Sequence, residues 1–162
     1  MSEQASVQEQ EKSEDLKLEV RRVIKAPRSR VFASWTTPEL MQQWFAPGGM
    51  RVASARADLR VGGEYRVEMH GLDNAVYVAS GFYRRIVPNE LLSFTWGGAC
   101  ESGEETLVTV ALRDFERGTE LILTHERFRS AEAVAKHEHG WIGCLDKLEK
   151  LDEPAEGRRQ GS

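Results

Sequence analysis

Residues 16–25 alternate between apolar and charged side chains. The apolar positions are Leu16, Leu18, Val20 and Ile24. Because successive side chains of a strand point to opposite faces of the sheet, this period predicts a half-buried β-strand. Arg22 falls on the apolar face, where a guanidinium group needs a partner. It either reaches solvent at the sheet edge, pairs with a structural carboxylate such as that of Glu126, or anchors a polar group of a ligand.

Two short helices are predicted to follow this strand. Pro27 suits the first turn of one helix, which buries Val31, Phe32 and Trp35. Thr37, Pro38 and Glu39 supply an N-cap, a first-turn proline and an acid that the helix dipole favours. The apolar residues of this second helix are Leu40, Met41, Trp44 and Phe45, and Pro47-Gly48-Gly49 ends it.

About 75 residues after these helices carry β patterns separated by turn residues. We place strands near residues 51–58, 64–70, 75–87, 91–97, 105–114 and 119–127. Short connections between consecutive strands predict an antiparallel meander. A long helix over residues 130–151 closes the pattern, with Ser130 as its N-cap. Its apolar face carries residues at spacings of three and four, namely Val134, His137, Trp141, Leu145, Leu148 and Leu151.

This order of elements predicts an α+β fold in one domain of residues 16–151. A curved antiparallel sheet of seven strands would wrap around the long C-terminal helix, with the two short helices closing one end. Residues 1–15 and 152–162 are predicted to be disordered tails, because they offer almost nothing apolar to bury. The arrangement leaves a concave space between sheet and helix, where small molecules commonly bind.

Charge and composition narrow the class of protein. The chain has 162 residues, is 40% hydrophobic and carries a net charge of −4. Residues 1–15 hold five acids against Lys12, so the remainder is neutral overall and nucleic acid is not an expected partner. The chain has neither a signal-peptide pattern nor an apolar run of about 18 residues, so we expect a cytoplasmic protein without membrane insertion. Its two cysteines, Cys100 and Cys144, are expected to be free thiols. The protein is expected to be a monomer or a weak homodimer.

The residues that could carry chemistry do not form a catalytic set. His137 and His139 stand two apart on a helix and point away from each other, so we expect no metal site. His137 and Cys144 share a helix face, but about 10.5 Å of helical rise separates them, which excludes a nucleophilic dyad. The sequence holds no phosphate-binding glycine loop or dinucleotide fingerprint, so no cofactor is expected.

Several motifs, taken in order, resemble a known family. They run from Ala26-Pro27, Val31-Phe32, Trp35-Thr36 and Pro38-Glu39 to Trp44, then Asp58, Arg60, Gly62-Gly63, Gly81-Phe82-Tyr83 and Ile86-Val87-Pro88. They continue through Leu92-Ser93-Phe94-Thr95-Trp96, Gly118-Thr119-Glu120-Leu121, Thr124-His125, Phe128, His137, Gly140-Trp141 and Leu145. This set resembles the Hsp90 ATPase activator homologue-like family, within the START-like helix-grip superfamily, also called SRPBCC. Val61 departs from the proline that this family usually has before the paired glycines.

The resemblance implies a β-α-α-β₆-α helix-grip fold with a deep apolar cavity. It leaves three functions open. We expect binding of a small hydrophobic molecule, such as a lipid; the alternatives are a co-chaperone that contacts a heat-shock ATPase, and a cyclase or dehydratase that uses His125 or a pocket tyrosine as acid or base.

The predicted pocket draws on aromatic side chains with polar tips, which suit a flat apolar ligand. The candidate lining residues are Arg22, Trp35, Trp44, Phe45, Tyr65, Tyr77, Phe82, Trp96, His125, Val134, His137, Trp141 and Leu145.

Overall fold

A computed structural model describes residues 16–97 and 105–151 of the protein. Their elements are β1 (Leu18–Ile24), α1 (Arg28–Thr36), α2 (Pro38–Trp44), β2 (Arg51–Ala57), β3 (Glu64–His70), β4 (Val76–Val87), β5 (Leu91–Trp96), β6 (Thr106–Phe115), β7 (Gly118–Glu126) and α3 (Ala131–Leu151). The predicted α+β fold and its order of elements are confirmed. The tails and Cys100 lie outside the described residues.

The seven strands form one curled antiparallel sheet in the order β1-β7-β6-β5-β4-β3-β2. One row of paired residues crosses five of these strands and carries much of the concave face. It consists of Leu18, His125, Val108, Phe94 and Tyr83, all of them buried. The sheet therefore presents a continuous concave surface to the helices.

The two short helices cover different parts of this surface, since α1 contacts β6 and β7 whereas α2 contacts β2. Helix α2 lies against β2, and the buried side chains of α1 and α2 include Trp35, Met41 and Trp44. Thr37 occupies the N-cap position of α2 with Pro38 in the first turn, as expected, although its side chain makes no capping hydrogen bond. Ser130 does cap α3, because its Oγ accepts a hydrogen bond from the Ala133 amide at 3.1 Å.

Helix α3 is fully buried only along its second half, although Ala133 and Val134 in its first half also touch the core. Residues 131–140 are exposed or half-buried, whereas Trp141, Cys144, Leu145 and Leu148 are buried. Gly143 lets the helix approach the chain before β2 closely, since a Cβ atom there would lie 3.1 Å from the Gly48 nitrogen.

Arg22 holds the same half of α3 against β1. Its guanidinium contacts the Asp146 carboxylate at 2.7 Å and that of Glu149 at 3.3 Å. Of the roles considered for Arg22, the structure therefore shows pairing with structural carboxylates. The suggested partner Glu126 is wrong, because the arginine reaches out from the concave face towards the helix that crosses it.

Candidate functional site

Most of the predicted pocket residues pack against one another instead of surrounding a hollow. Trp35, Trp44, Phe45, Tyr65, Trp141 and Leu145 are at most 3% exposed. The rings of Trp35, Trp44, Phe45 and Trp141 form one connected group, with centroids 4.5 Å apart for Trp35 and Trp44 and 5.8 Å apart for Trp35 and Trp141. Trp96, which is half-buried, lies 5.0 Å from Trp141. These side chains form the aromatic core of the domain.

In the part of the chain that the structure describes, these packed rings occupy the place where the deep cavity was expected. What remains is an inner void of about 10 Å³, lined by Trp35, Met41, Phe45, Tyr65, Tyr83 and Phe94. That volume is the room that one water molecule needs. The cavity expectation was wrong because the tryptophans and phenylalanines of α1, α2 and α3 fill the space enclosed by the sheet.

Two sheet residues also lie elsewhere than expected. Phe82 alternates with Gly81 and Tyr83, which face the concave side, so its ring lies on the convex face and is 46% exposed. The expectation that Phe82 lines an internal pocket is wrong. Tyr77 lies on the concave side but near the start of β4, beyond the core, and is 52% exposed. On α3, Val134 and His137 are half-buried.

His125 forms a hydrogen-bonded chain inside the core. The Trp141 indole N–H donates to His125 Nδ1 at 3.0 Å, which fixes the imidazole proton on Nε2 because an indole can only donate. Nε2 then donates to Thr106 Oγ1 at 2.7 Å, and that hydroxyl donates to the Trp96 carbonyl at 3.0 Å. Both imidazole nitrogens are therefore occupied by protein partners.

The surroundings of His125 keep it neutral. Burial, reinforced by the nearby His137, lowers its pKa from 6.5 to about 2. A general acid or base works best with a pKa near the operating pH and with access to substrate. His125 has neither property, so its geometry is that of a core histidine.

Two other buried groups are held in their protonated forms. Burial and the charge of Asp58 raise the pKa of Tyr83 to about 12. Burial also raises the pKa of the Cys144 thiol to about 12, against a small opposing effect of Lys147. A thiol in this state is a poor nucleophile. Among residues 16–97 and 105–151, no three histidine, cysteine or acidic side chains are arranged to hold a metal ion.

A pocket of about 240 Å³ opens at the end of the concave side, between the chain before β2 and the β3–β4 hairpin. We call it the rim pocket, and its lining residues are Gly49, Met50, Gly71, Leu72, Asp73 and Tyr77. Leu72 is 91% exposed, an unusual state for a leucine. Of these residues, only Tyr77 is among the pocket residues predicted from the sequence. The sequence feature that could have indicated this pocket is an apolar residue, Leu72, within the turn Gly71-Leu72-Asp73-Asn74.

A lysine of α3 fixes the backbone of the pocket wall that contains Met50. Lys147 Nζ donates to the Met50 carbonyl at 3.1 Å and also to the Ala46 carbonyl. Phe45, just before this segment, is part of the core and borders the inner void. Residues 46–50 thus connect the packed interior with the open pocket.

The order of elements and the sheet curled against α3 define a helix-grip domain. Residues 25–153 match the family model described as Activator of Hsp90 ATPase homolog 1-like protein, and the chain belongs to this family. Among described residues, no helix is long and apolar enough to cross a lipid bilayer.

Solved structures from bacteria share the fold. Protein CV1439 from Chromobacterium violaceum is 26% identical with a TM-score of 0.76, and the alignment covers 85% of this chain and 97% of that one. The AHSA1 protein of Silicibacter pomeroyi is 27% identical with a TM-score of 0.74, covering 83% and 96%. Protein NE0264 from Nitrosomonas europaea, at 24% identity and a TM-score of 0.73, covers 84% and 93%. Comparison with curated proteins gave no match.

Proposed function

We propose that this protein binds a small apolar molecule in the rim pocket. The observation that carries the proposal is the exposure of Leu72 beside Tyr77 and Met50, around an open space of about 240 Å³. Apolar side chains grouped around a concavity are typical of a binding site, because leaving them in water is unfavourable. A bound molecule would cover the surface that the fold itself leaves exposed.

The size of the pocket limits the ligand and its affinity. Typical ligand pockets measure roughly 300–1,000 Å³, so the ligand is at the small end of this range. Burial of about 300 Å² of apolar surface contributes at most about 7.5 kcal/mol before association costs are subtracted. We therefore expect a dissociation constant in the micromolar range or weaker.

The polar groups of the pocket disfavour an anionic ligand. Asp73 supplies the charged side chain among the lining residues, and its Oδ1 already accepts a hydrogen bond from the Ala75 amide at 3.2 Å. A ligand with a negative charge would be repelled by this carboxylate. The interior, in contrast, is closed by packed rings and offers no comparable space at rest.

Fluorescence titration with the neutral dye N-phenyl-1-naphthylamine tests the proposal. Leu72→Ser should raise the dissociation constant about threefold to tenfold, since covering part of a leucine side chain contributes on the order of 1 kcal/mol. Gly49→Leu should also weaken binding, because a Cβ atom added at this position would lie 3.2 Å from Leu72 Cδ1, so a larger side chain would crowd the pocket wall.

The matched control is Val61→Ser, which changes another exposed apolar residue outside the pocket. It should leave dye binding unchanged. Equal dissociation constants for wild type, Leu72→Ser and Gly49→Leu would show that the dye binds elsewhere and would refute the proposal.

The filled interior supports one second candidate, a co-chaperone that contacts an ATPase through its surface. Exposed apolar side chains on the convex face, such as those of Phe82 and Val76, would serve this role. The assay is the ATPase rate of a purified Hsp90-type chaperone with increasing amounts of this protein. Stimulation that Phe82→Ser weakens and Leu72→Ser preserves would favour the co-chaperone function over the rim pocket.

A further inference from the structure

Among the described residues that line the rim pocket, Asp73 alone carries a charge. Its Oδ1 accepts a hydrogen bond from the Ala75 amide at 3.2 Å, two residues further along the chain. This is the contact of an Asx turn, which aspartate and asparagine both form because it needs one side-chain oxygen and no charge. The turn therefore accounts for Oδ1 but not for the negative charge of the carboxylate.

That charge has no partner within the described part of the chain. The other aspartates described there, Asp58, Asp114 and Asp146, each pair with an arginine, whereas no salt bridge reaches Asp73. The Asp73 carboxylate also lies close to the pocket surface, since a Cβ atom added at Gly71, another lining residue, would lie 3.1 Å from Asp73 Oδ1. The rim pocket therefore combines an unpaired anionic group with an apolar lining.

The basic residues closest to the pocket along the chain do not supply the missing positive charge. Arg51 and His70 form a cross-strand pair of β2 and β3, next to the pair that joins Met69 to Tyr77. Because successive side chains of a strand point to opposite faces, Arg51 and His70 face the convex side, away from Tyr77. Lys147 is not among the lining residues, and its ammonium donates to the two backbone carbonyls described above.

Tyr77 adds an aromatic ring to the same pocket. This side chain is half exposed, so a bound molecule can reach it. The face of an aromatic ring carries partial negative charge and attracts a cation that lies within about 6 Å of the ring centre. The carboxylate of Asp73 and the ring of Tyr77 thus favour the same sign of charge in a ligand.

We infer that the ligand of the rim pocket is a small organic amine with an apolar body, protonated at neutral pH. Its ammonium group pairs with the Asp73 carboxylate beside the Tyr77 ring, and its apolar body covers Leu72 and Met50. An alkylammonium group has a pKa of about 10, as the lysine side chain has, so it is charged at neutral pH. This inference rests on the proposed function, because it names the class of molecule that the rim pocket binds.

Three probes of similar shape isolate the effect of ligand charge. Phenethylamine carries an ammonium group, phenethyl alcohol a neutral hydroxyl group, and hydrocinnamate a carboxylate. NMR titration of the wild-type protein at low ionic strength, followed through the Met50 methyl signal, gives the three dissociation constants. The amine should bind about threefold to tenfold more tightly than the alcohol, the range of an exposed ion pair together with a cation–π contact. Hydrocinnamate should bind more weakly than the alcohol.

Asp73→Asn removes the charge and keeps the Asx turn. This variant should bind the amine about twofold to fivefold more weakly than wild type, the share of the ion pair, and should bind the alcohol unchanged. Glu90→Gln is the matched control, because it removes an exposed negative charge beyond the far end of the 12-residue strand β4. That strand is roughly 40 Å long, several times the Debye length, so this control should leave all three dissociation constants unchanged.

The outcomes separate this inference from the proposed function. Leu72→Ser should weaken all three probes alike, because it removes apolar contact and no charge. Equal affinities of the wild-type protein for amine and alcohol, or an amine affinity that Asp73→Asn leaves unchanged, would overturn the inference and leave the proposed function standing. A Met50 signal that none of the probes shifts would overturn both. The comparison of probes in the wild-type protein needs no variant, so it remains decisive when a variant does not fold.

Discussion

His125 should make the folded protein less stable as the pH falls from 7 to 5. The folded state keeps its imidazole neutral, with the pKa lowered to about 2 by burial, whereas the unfolded chain titrates near 6.5. Between these values the unfolded state binds one proton more than the folded state. Stability therefore rises with pH in this window, and acidification costs stability as soon as the pH falls below about 6.5.

The magnitude follows from this difference in bound protons. Each pH unit within the window changes the free energy of unfolding by about 1.4 kcal/mol. Integrated from pH 7 to pH 5, with titration of the unfolded chain near 6.5, the loss that His125 causes is about 2 kcal/mol. Other groups also titrate in this range, so the prediction concerns the part of the pH dependence that His125 contributes.

His125→Gln isolates that part. The amide provides a donor towards Thr106 and an acceptor towards the Trp141 indole, but it does not titrate. Urea denaturation followed by tryptophan fluorescence, at pH 7 and pH 5, gives the free energy of unfolding for both proteins. Wild type should lose about 2 kcal/mol more than His125→Gln over this interval. Equal losses would mean that His125 titrates normally, and would refute the hydrogen-bonded chain described for it.

Three further predictions concern the core and the tails. Trp141→Ala should lower the free energy of unfolding by about 3–5 kcal/mol in urea denaturation, because it leaves a large cavity and removes the donor to His125; a loss below about 1 kcal/mol would contradict this packing. Leu145→Trp should lower the melting temperature clearly, because Leu145 is fully buried and overpacking costs about 1–3 kcal/mol or more; an unchanged melting temperature would reveal unfilled space. A chain of residues 16–151 should melt within a few degrees of the full protein, and loss of cooperative unfolding would show that a tail is structural.

The order and approximate bounds of the elements could be read from the sequence because their signals are local. Alternation marked the strands, and spacings of three and four marked α3, whose cap at Ser130 the structure confirms. Turn residues such as Gly71–Asn74 and Pro88–Glu90 separated the strands. Each of these signals depends on a few neighbouring residues and therefore survives without knowledge of the tertiary structure.

The candidate binding site could not be predicted from the sequence, because it depends on contacts between residues that are distant along the chain. Whether the interior is hollow depends on two quantities, the space that the curved sheet encloses and the volume of the aromatic side chains inside it. Neither can be read from the spacing of apolar residues along the chain. Phe82 and Tyr83 are adjacent aromatic residues, and only the strand register decides that Tyr83 faces inward. The partners of Arg22 were missed for a similar reason, since the docking of α3 brings Asp146 and Glu149 to it.

Leu72 illustrates the opposite case, in which a signal was present but was not used. It stands in a turn where small and polar residues are usual, and the structure leaves it 91% exposed. An apolar side chain in such a turn adds nothing to folding when it stays in water. Its presence there is the sequence feature that indicates the rim pocket.

Methyl NMR on the protein labelled at its methionine methyl groups tests the central claim most directly. Three of the four methionines lie in different surroundings: Met50 lines the rim pocket, Met41 borders the inner void and Met69 is buried in β3, whereas Met1 is outside the described residues. Titration with N-phenyl-1-naphthylamine should shift the Met50 methyl signal most, with the Met41 and Met1 signals unchanged, because this bulky dye does not fit the void. A shift of the Met41 signal with Met50 unmoved would place the ligand inside the core and contradict binding at the rim.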